Sequence, residues 1–482
     1  MRALGHRDYR LFFAGQIVSL IGTWMQSVGQ AWLVLELTNS PFKLGLLGTL
    51  QFGPMLLFAF LSGAIADRVR KRRLILATQS ALMLQAFALS ALAWTGHVQY
   101  WHVAVLATLY GLVTTLDMPA RQSFMTDLVG RNDLPGAIAL NSAVFNGARV
   151  VGPAVAGLLV ARYGVALAFL LNGLSFLAVL GALQAMRTEG EPRPRTGATM
   201  FEDIAEGARY AAATPLIALI LGLCCAVSLF VLNYNTLVPL IARDVLGEGA
   251  HGFGLLMAVL GSGAVLGALV LARLDFERPA ASLLLWAALV VSATTLSLAF
   301  VHRFWVAVPV LFAAGFSQIL FAASSNTTLQ MSAPDHLRGR MMSLYAWVFV
   351  GSAPIGALFI GSVAEQLGVL AACAAGGGCG LAAVAILAAW WKWRRVTQGR
   401  PSRPTIGILS AGSFTSTPKV RPSRLISRPS SQAARTPSSP STEICPPVPL
   451  GLGATRAAPA RKSFPIAVGG RSRRNSGTAR AT

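Results

Sequence analysis

Few residues of this 482-residue chain could do chemistry, and most of them lie inside apolar runs. Gln16, Ser19, Thr23, Gln26 and Gln30 follow one another at spacings of 3, 4, 3 and 4, which places all five on one face of an α-helix. Such a row does not face lipid. It faces either a water-filled pathway or other helices to which it hydrogen-bonds, and the three glutamines favour the pathway. Asn233, Tyr234 and Asn235, with Ser324, Ser325, Asn326 and Thr327, would complete a polar but weakly charged lining, flanked by Trp24, Trp32 and Tyr345. A lining of that kind suits an amphipathic, partly aromatic solute. Arg149 falls deep within an apolar run, where an unpaired charge is costly and is a functional-site candidate by default. An anionic substrate group or the glutamine row could partner it; alternatively, carbonyls freed at Pro153 satisfy it, or it snorkels. Glu36 and Asp117 are the candidates for proton coupling, although Arg121 at i+4 also makes Asp117 half of a structural ion pair. Glu365 ends a run as Glu36 does.

The chemistry these residues offer is binding and proton exchange, without bond-making. The sequence has no Walker loop, HExxH, GxSxG or dinucleotide fingerprint, and its six histidines are scattered, so neither an enzyme nor a cofactor or metal site is expected. The five cysteines form no CxxC and read as small packing residues.

The elements that must position these residues are legible from composition. Hydrophobic residues make up 54% of the chain and charged ones 12%, against roughly 25% charged in soluble domains. Apolar blocks lie at roughly 11–36, 44–66, 74–95, 101–120, 136–160, 165–186, 214–242, 252–273, 281–301, 305–329, 341–364 and 369–391. Each can cross a ~30 Å hydrocarbon core as a helix, and the first is too long for a cleavable signal. The expectation is an all-α membrane protein of twelve transmembrane helices in two six-helix, pseudo-symmetric bundles.

Basic residues before the tail divide 22 to 4 between the two sides of this map, with Arg149 inside a block. That asymmetry places both termini in the cytoplasm. It also makes nucleic acid a poor explanation of the net charge of +22. A polar stretch at 187–213 separates an N-terminal bundle (1–186) from a C-terminal one (214–395). The halves echo each other: the run before the fifth block and its end GLLVARYG (157–164) match the run before the eleventh and its end GSVAEQLG (361–368), at offsets of 203 and 204 residues. Residues 396–482 are rich in Ser, Pro and Arg and are expected to be disordered. They could bind anionic lipid, but an inert extension or a translation artefact is preferred.

Between blocks two and three, Gly63-x-x-x-Asp67-Arg68-x-Arg70-Lys71-Arg72-Arg73 resembles the signature loop of the major facilitator superfamily, with Arg70 where the family has a second glycine. The resemblance implies that Asp67 and Arg68, with Gly63, Arg72 and Arg73, belong to a conformational latch whose contact is the eleventh helix. Gly152-Pro153-Ala154-Val155-Ala156-Gly157 is similar to the motif of the antiporter branch, although Ala148 and Ala156 stand where glycines are expected; a packing seam accounts for it equally well. The runs ALGHRDYRLFFAGQIVSLIGTWMQSVGQAWLVLELTNSP, DMPARQSF and NSAVFNGARVVGPAVAGLL resemble the bacterial subfamily of enterobactin and macrolide exporters over roughly residues 3 to 395. This implies a monomeric inner-membrane secondary transporter that exports small amphipathic molecules, drug-like or siderophore-like, by proton antiport. An importer or lipid flippase on the same fold, or a non-transporting binding or assembly protein, stays open. If Asp67 is a latch residue, Asp67→Asn will slow turnover in a vesicle transport assay while substrate affinity holds; lost affinity with unchanged turnover would contradict that role.

Overall fold

A computed structural model of the protein describes residues 2–192, 200–273, 281–334 and 337–398. The tail expected to be disordered lies, from residue 399 on, outside the described residues. Among the described residues the chain is helical, with no strand. Eleven helices among the described residues are long and apolar enough to cross a membrane. One of them, Tyr100–Tyr163, has 64 residues and would be about 96 Å long if straight, three times a ~30 Å hydrocarbon core. It turns back at Gly130, where φ is 71° and ψ 173°, in a region an L side chain rarely enters. Divided there, the described chain makes twelve crossings.

Spans 1 to 6 are Arg7–Thr38, Pro41–Arg68, Lys71–Trp94, 100–129, 131–163 and Val165–Ala185. Spans 7 to 12 are Pro215–Val245, Ala250–Arg273, Ala281–Phe300, Phe304–Ser332, Arg338–Leu367 and Val369–Gln398. They reach past the apolar blocks where helix ends have something to cover. The last turns of span 4, for example, bury Phe124, Leu128 and Val129 against Tyr9, Phe12 and Ile75. The stretch 187–213 is not only a loop. Met200–Ala213 is a helix, and its Gly207 packs on Met341 at the start of span 11, where Glu206 pairs with Arg340. Gly207 and Ala211, four residues apart on one face of this helix, are both buried.

Two spans are broken within their length. Span 7 stops at Phe230 and resumes as Tyr234–Leu240. Asn233 donates its side-chain amide to the Leu229 carbonyl at 2.9 Å, satisfying an end carbonyl of the first segment. Span 11 breaks at Ser352 ahead of Pro354.

The apolar interior has three main parts. Turns at 39–40, 164, 246–249, 301–303 and 368 share one face; the chain start, the 69–70 turn and Gly130 lie at the other, termed here the basic face. Near the first of these faces one cluster runs unbroken through both sets of spans, from Trp32 and Phe169 to Tyr234, Phe253, Leu311 and Ile360. Toward the basic face the core separates into one cluster within spans 1 to 6, with Tyr9, Ile75 and Phe124, and another within spans 7 to 12, with Leu223, Leu284 and Phe321. Gly130→Ala, which forces an L side chain into the left-handed region, is expected to cost about 1 to 2 kcal/mol and lower the thermal transition of the purified protein. Gly181→Ala, in a helix with open space around it, is expected to leave that transition unchanged or raise it.

Candidate substrate pathway and gates

Close backbone approach joins the two sets of spans near the face opposite the basic one. A Cβ on Gly157 of span 5 would come within 2.9 Å of the Gly254 Cα of span 8. On the other side of the molecule a Cβ on Gly361 of span 11 would come within 3.0 Å of the Gly45 Cα of span 2, and one on Gly45 would meet the Ala357 carbonyl. Gly157 and Gly361 are the residues related by the 204-residue offset, so the two seams are counterparts. Polar clamps lie beside them. The Glu365 carboxylate accepts from the Ser40 hydroxyl at 2.9 Å and the Phe42 N–H at 3.1 Å, capping span 2 from span 11. Arg243 donates to the Leu35 carbonyl at 3.0 Å, capping the end of span 1 from span 7. Each charge has the sign that the helix end beside it favours.

The polar row of span 1 is divided between two surroundings. Gln26 lies inside spans 1 to 6, donating to Gln85 at 3.0 Å and accepting from Asn172 at 2.7 Å, so for Gln26 the packing role is the one the structure has. Thr23 donates back to the Ser19 carbonyl, and Gln16 is buried. Gln30 instead borders a cavity of about 40 Å³ between spans 1, 2, 7 and 8, together with Gln51, Asn235 and Phe253; its amide nitrogen there has no partner. The split has a geometric cause, because a stripe of five positions on span 1 is wide enough to meet two neighbours. Asn233 belongs to the span 7 break and seats against Gly356, whereas Asn235 is exposed to the cavity. Asn326 is half-buried and accepts from Gln330 one turn on. A second cavity, of about 190 Å³, lies between spans 2, 4 and 11, bordered by Ser62, Met118, Gln122 and Trp347.

Arg149 reaches across from span 5 to span 10, donating to the Gln318 side-chain carbonyl at 3.0 Å, while its guanidinium lies over Trp24 of span 1. Gln318 had no sequence signal beyond being a glutamine in an apolar block. Gly152 and Pro153 belong to the seam: a Cβ on Gly152 would strike Trp24, and the Pro153 carbonyl lies against Gly254. Asp117 is buried and accepts from Thr78, Gln79 and Arg121, all on spans 3 and 4. Glu36 is exposed and accepts from the Trp32 indole N–H at 2.6 Å.

At the basic face the signature loop divides by function. Lys71, fully enclosed, donates to Asp127 at 2.6 Å and to the Glu191 carbonyl at 3.1 Å. Arg72 caps span 6 through the Leu183 and Gln184 carbonyls, and Arg70 pairs with Glu189 at 2.6 Å. Asp8 accepts from the N–H groups of Arg187 and Thr188, so the chain leaving span 6 is tied to spans 1 and 3. By contrast Asp67 and Arg68 make no hydrogen bond or ion pair among the described residues, Arg73 is exposed, and Gly63 has open space beside it.

The family model described as transmembrane secretion effector matches residues 2–404. The chain is 24% identical to the staphyloferrin A transporter of Staphylococcus aureus (strain NCTC 8325 / PS 47), over 75% of its own length and 90% of that protein. It is 26% identical to the multidrug efflux pump Tap of Mycolicibacterium fortuitum (72% and 87% covered) and 26% identical to the enterobactin exporter EntS of Salmonella typhi (79% and 91%). Among solved structures it shares its fold with a bacterial homologue of the human lysosomal transporter Spinster, in an inward-facing, unoccupied conformation (TM-score 0.61, 16% identity, 82% and 98% covered). A POT family transporter in complex with 5-aminolevulinic acid is similar as well (TM-score 0.65, 10% identity, 80% and 96% covered).

If the two glycine seams form the barrier, Gly157→Val or Gly361→Val will hold the spans apart. A cysteine at Asn235 in a background free of other cysteines would then react severalfold faster with a membrane-impermeant thiol reagent added at the face opposite the basic one. An unchanged rate would show that the barrier is elsewhere.

Proposed function

We propose, from the premise that the chain belongs to the transmembrane secretion effector family of major facilitator transporters, that it exports small amphipathic molecules by alternating access. The observation that carries this reading is the division of the core: one cluster binds both sets of spans at one face, and separate clusters serve them at the other. A carrier that rocks between two states needs one face closed by contacts that can part and the other already parted. The seams and helix-end clamps are contacts of that kind, short-range and formed by few atoms. Export is favoured over import by the relatives named as an efflux pump and an enterobactin exporter.

Within this reading, residues 1–186 and 214–395 move as two bodies joined by 187–213. The basic face lies in the cytoplasm with both chain ends, which the distribution of Lys and Arg supports. The membrane is then the bacterial inner membrane. Asp67 and Arg68 engage when the basic face closes, and their lack of partners in this state agrees with that. The chain works as a monomer. A proton gradient supplies the energy: no phosphate-binding loop is present, and of the two candidate acids Glu36 is the one open to water. Asp117, held by three donors, is structural.

Expression in a bacterial strain without its own efflux pumps tests the direction and the coupling together. Accumulation of an amphipathic dye is expected to rise when an uncoupler is added. A fall would mean uptake, and no change across a broad panel would favour a binding or assembly role.

A further inference from the structure

Arg149 lacks what every other deeply placed charge in the described structure has. Lys71 has Asp127, and Asp117 has Arg121 with two further donors. Around Arg149 no carboxylate lies within 4 Å among the described residues; its one hydrogen-bond partner is the neutral Gln318 side chain, and its Nε is enclosed without any partner. The residue sits about midway along span 5, roughly 20 to 27 Å from either helix end, too far for the side chain to reach water at a membrane surface. Its own backbone carbonyl is pressed against Gly261 of span 8, which leaves no room for a second side chain beneath it. Trp24 covers one face of the guanidinium, with Phe145 edge-on to Trp24 at 5.7 Å. The side chain is nonetheless only half-buried, so part of it stays accessible where spans 1, 5, 8 and 10 meet.

A cation stacked on a ring and bonded to an amide is oriented but not neutralised. From this we infer that Arg149 is an anion-binding subsite: it receives a planar, delocalised carboxylate whose aromatic or apolar body lies along Trp24 and Phe145. The guanidinium fork suits such a group because two parallel N–H donors can meet two oxygens. Gln318 holds the fork in place while the site is empty. The inference rests on the reading of the chain as an exporter and names the chemical class of what it carries: organic anions with an aromatic part, in preference to their neutral or cationic counterparts.

The test is binding to the purified full chain, measured by calorimetry at about pH 7, for a panel of aromatic carboxylates, each paired with its neutral methyl ester. The wild type is expected to bind at least one acid more tightly than its analogue. Arg149→Gln should weaken that acid by roughly tenfold to a hundredfold, the loss of a charge-assisted hydrogen bond, and leave the neutral analogue unchanged. Arg149→Lys should keep a reduced preference. Should Arg149→Gln not fold, as circular dichroism and the thermal transition would reveal, Gln318→Leu serves instead and is expected to retain the acid preference because the charge remains. Equal binding of acid and analogue throughout the panel, binding of neither, a preference that survives in Arg149→Gln, or its loss in Gln318→Leu each overturns the assignment. An acid that binds as expected but is not moved in everted vesicles would contradict the exporter reading and leave the anion site standing.

Discussion

Contact between helix backbones at two glycine seams is the constraint on which the rest of this structure depends. In lipid no hydrophobic drive brings one apolar helix to another, so association rests on close packing and a few polar contacts. Gly157 against Gly254 and Gly361 against Gly45 provide that packing at the face opposite the basic one, and Gly157 and Gly361 are related by the internal repeat. Around them the interior is continuous from span 1 to span 12; away from them each set of six spans closes on its own cluster.

Charge placement obeys the same economy of contacts. The ends of spans 1 and 2 are capped from spans 7 and 11 by Arg243 and Glu365, bonds that cross from one set of six spans to the other. Lys71, the Arg72 backbone N–H and Asp8 bind the start of the 187–213 connection to spans 1 to 6, and Glu206 with Arg340 binds its later helix to span 11. The connection is thus fastened to both sets, which fits a joint between bodies that move.

The sequence made the spans legible because apolar length and charge distribution are properties of the lipid environment and need no tertiary detail. The turn within 100–163 was legible as well, since Gly130 lies in the polar interval between two apolar blocks. Side-chain partners were less so. The row on span 1 was visible, but 3.6-residue periodicity cannot say which of two neighbours a polar residue meets, and Gln26 met Gln85 and Asn172 while Gln30 met the cavity. The helix Met200–Ala213 was missed because its polar flanks outweighed a short amphipathic pattern. The repeat offset already paired Gly157 with Gly361; that both are contact glycines required their partners in space.

Cross-linking across the face opposite the basic one tests this account most directly. With cysteines at Ser40 and Glu365 in a background free of other cysteines, a short reducible thiol cross-linker would fasten span 2 to span 11. The account predicts that efflux stops once the link forms and returns when it is reduced. Full efflux with the link intact would mean that this face does not open during transport.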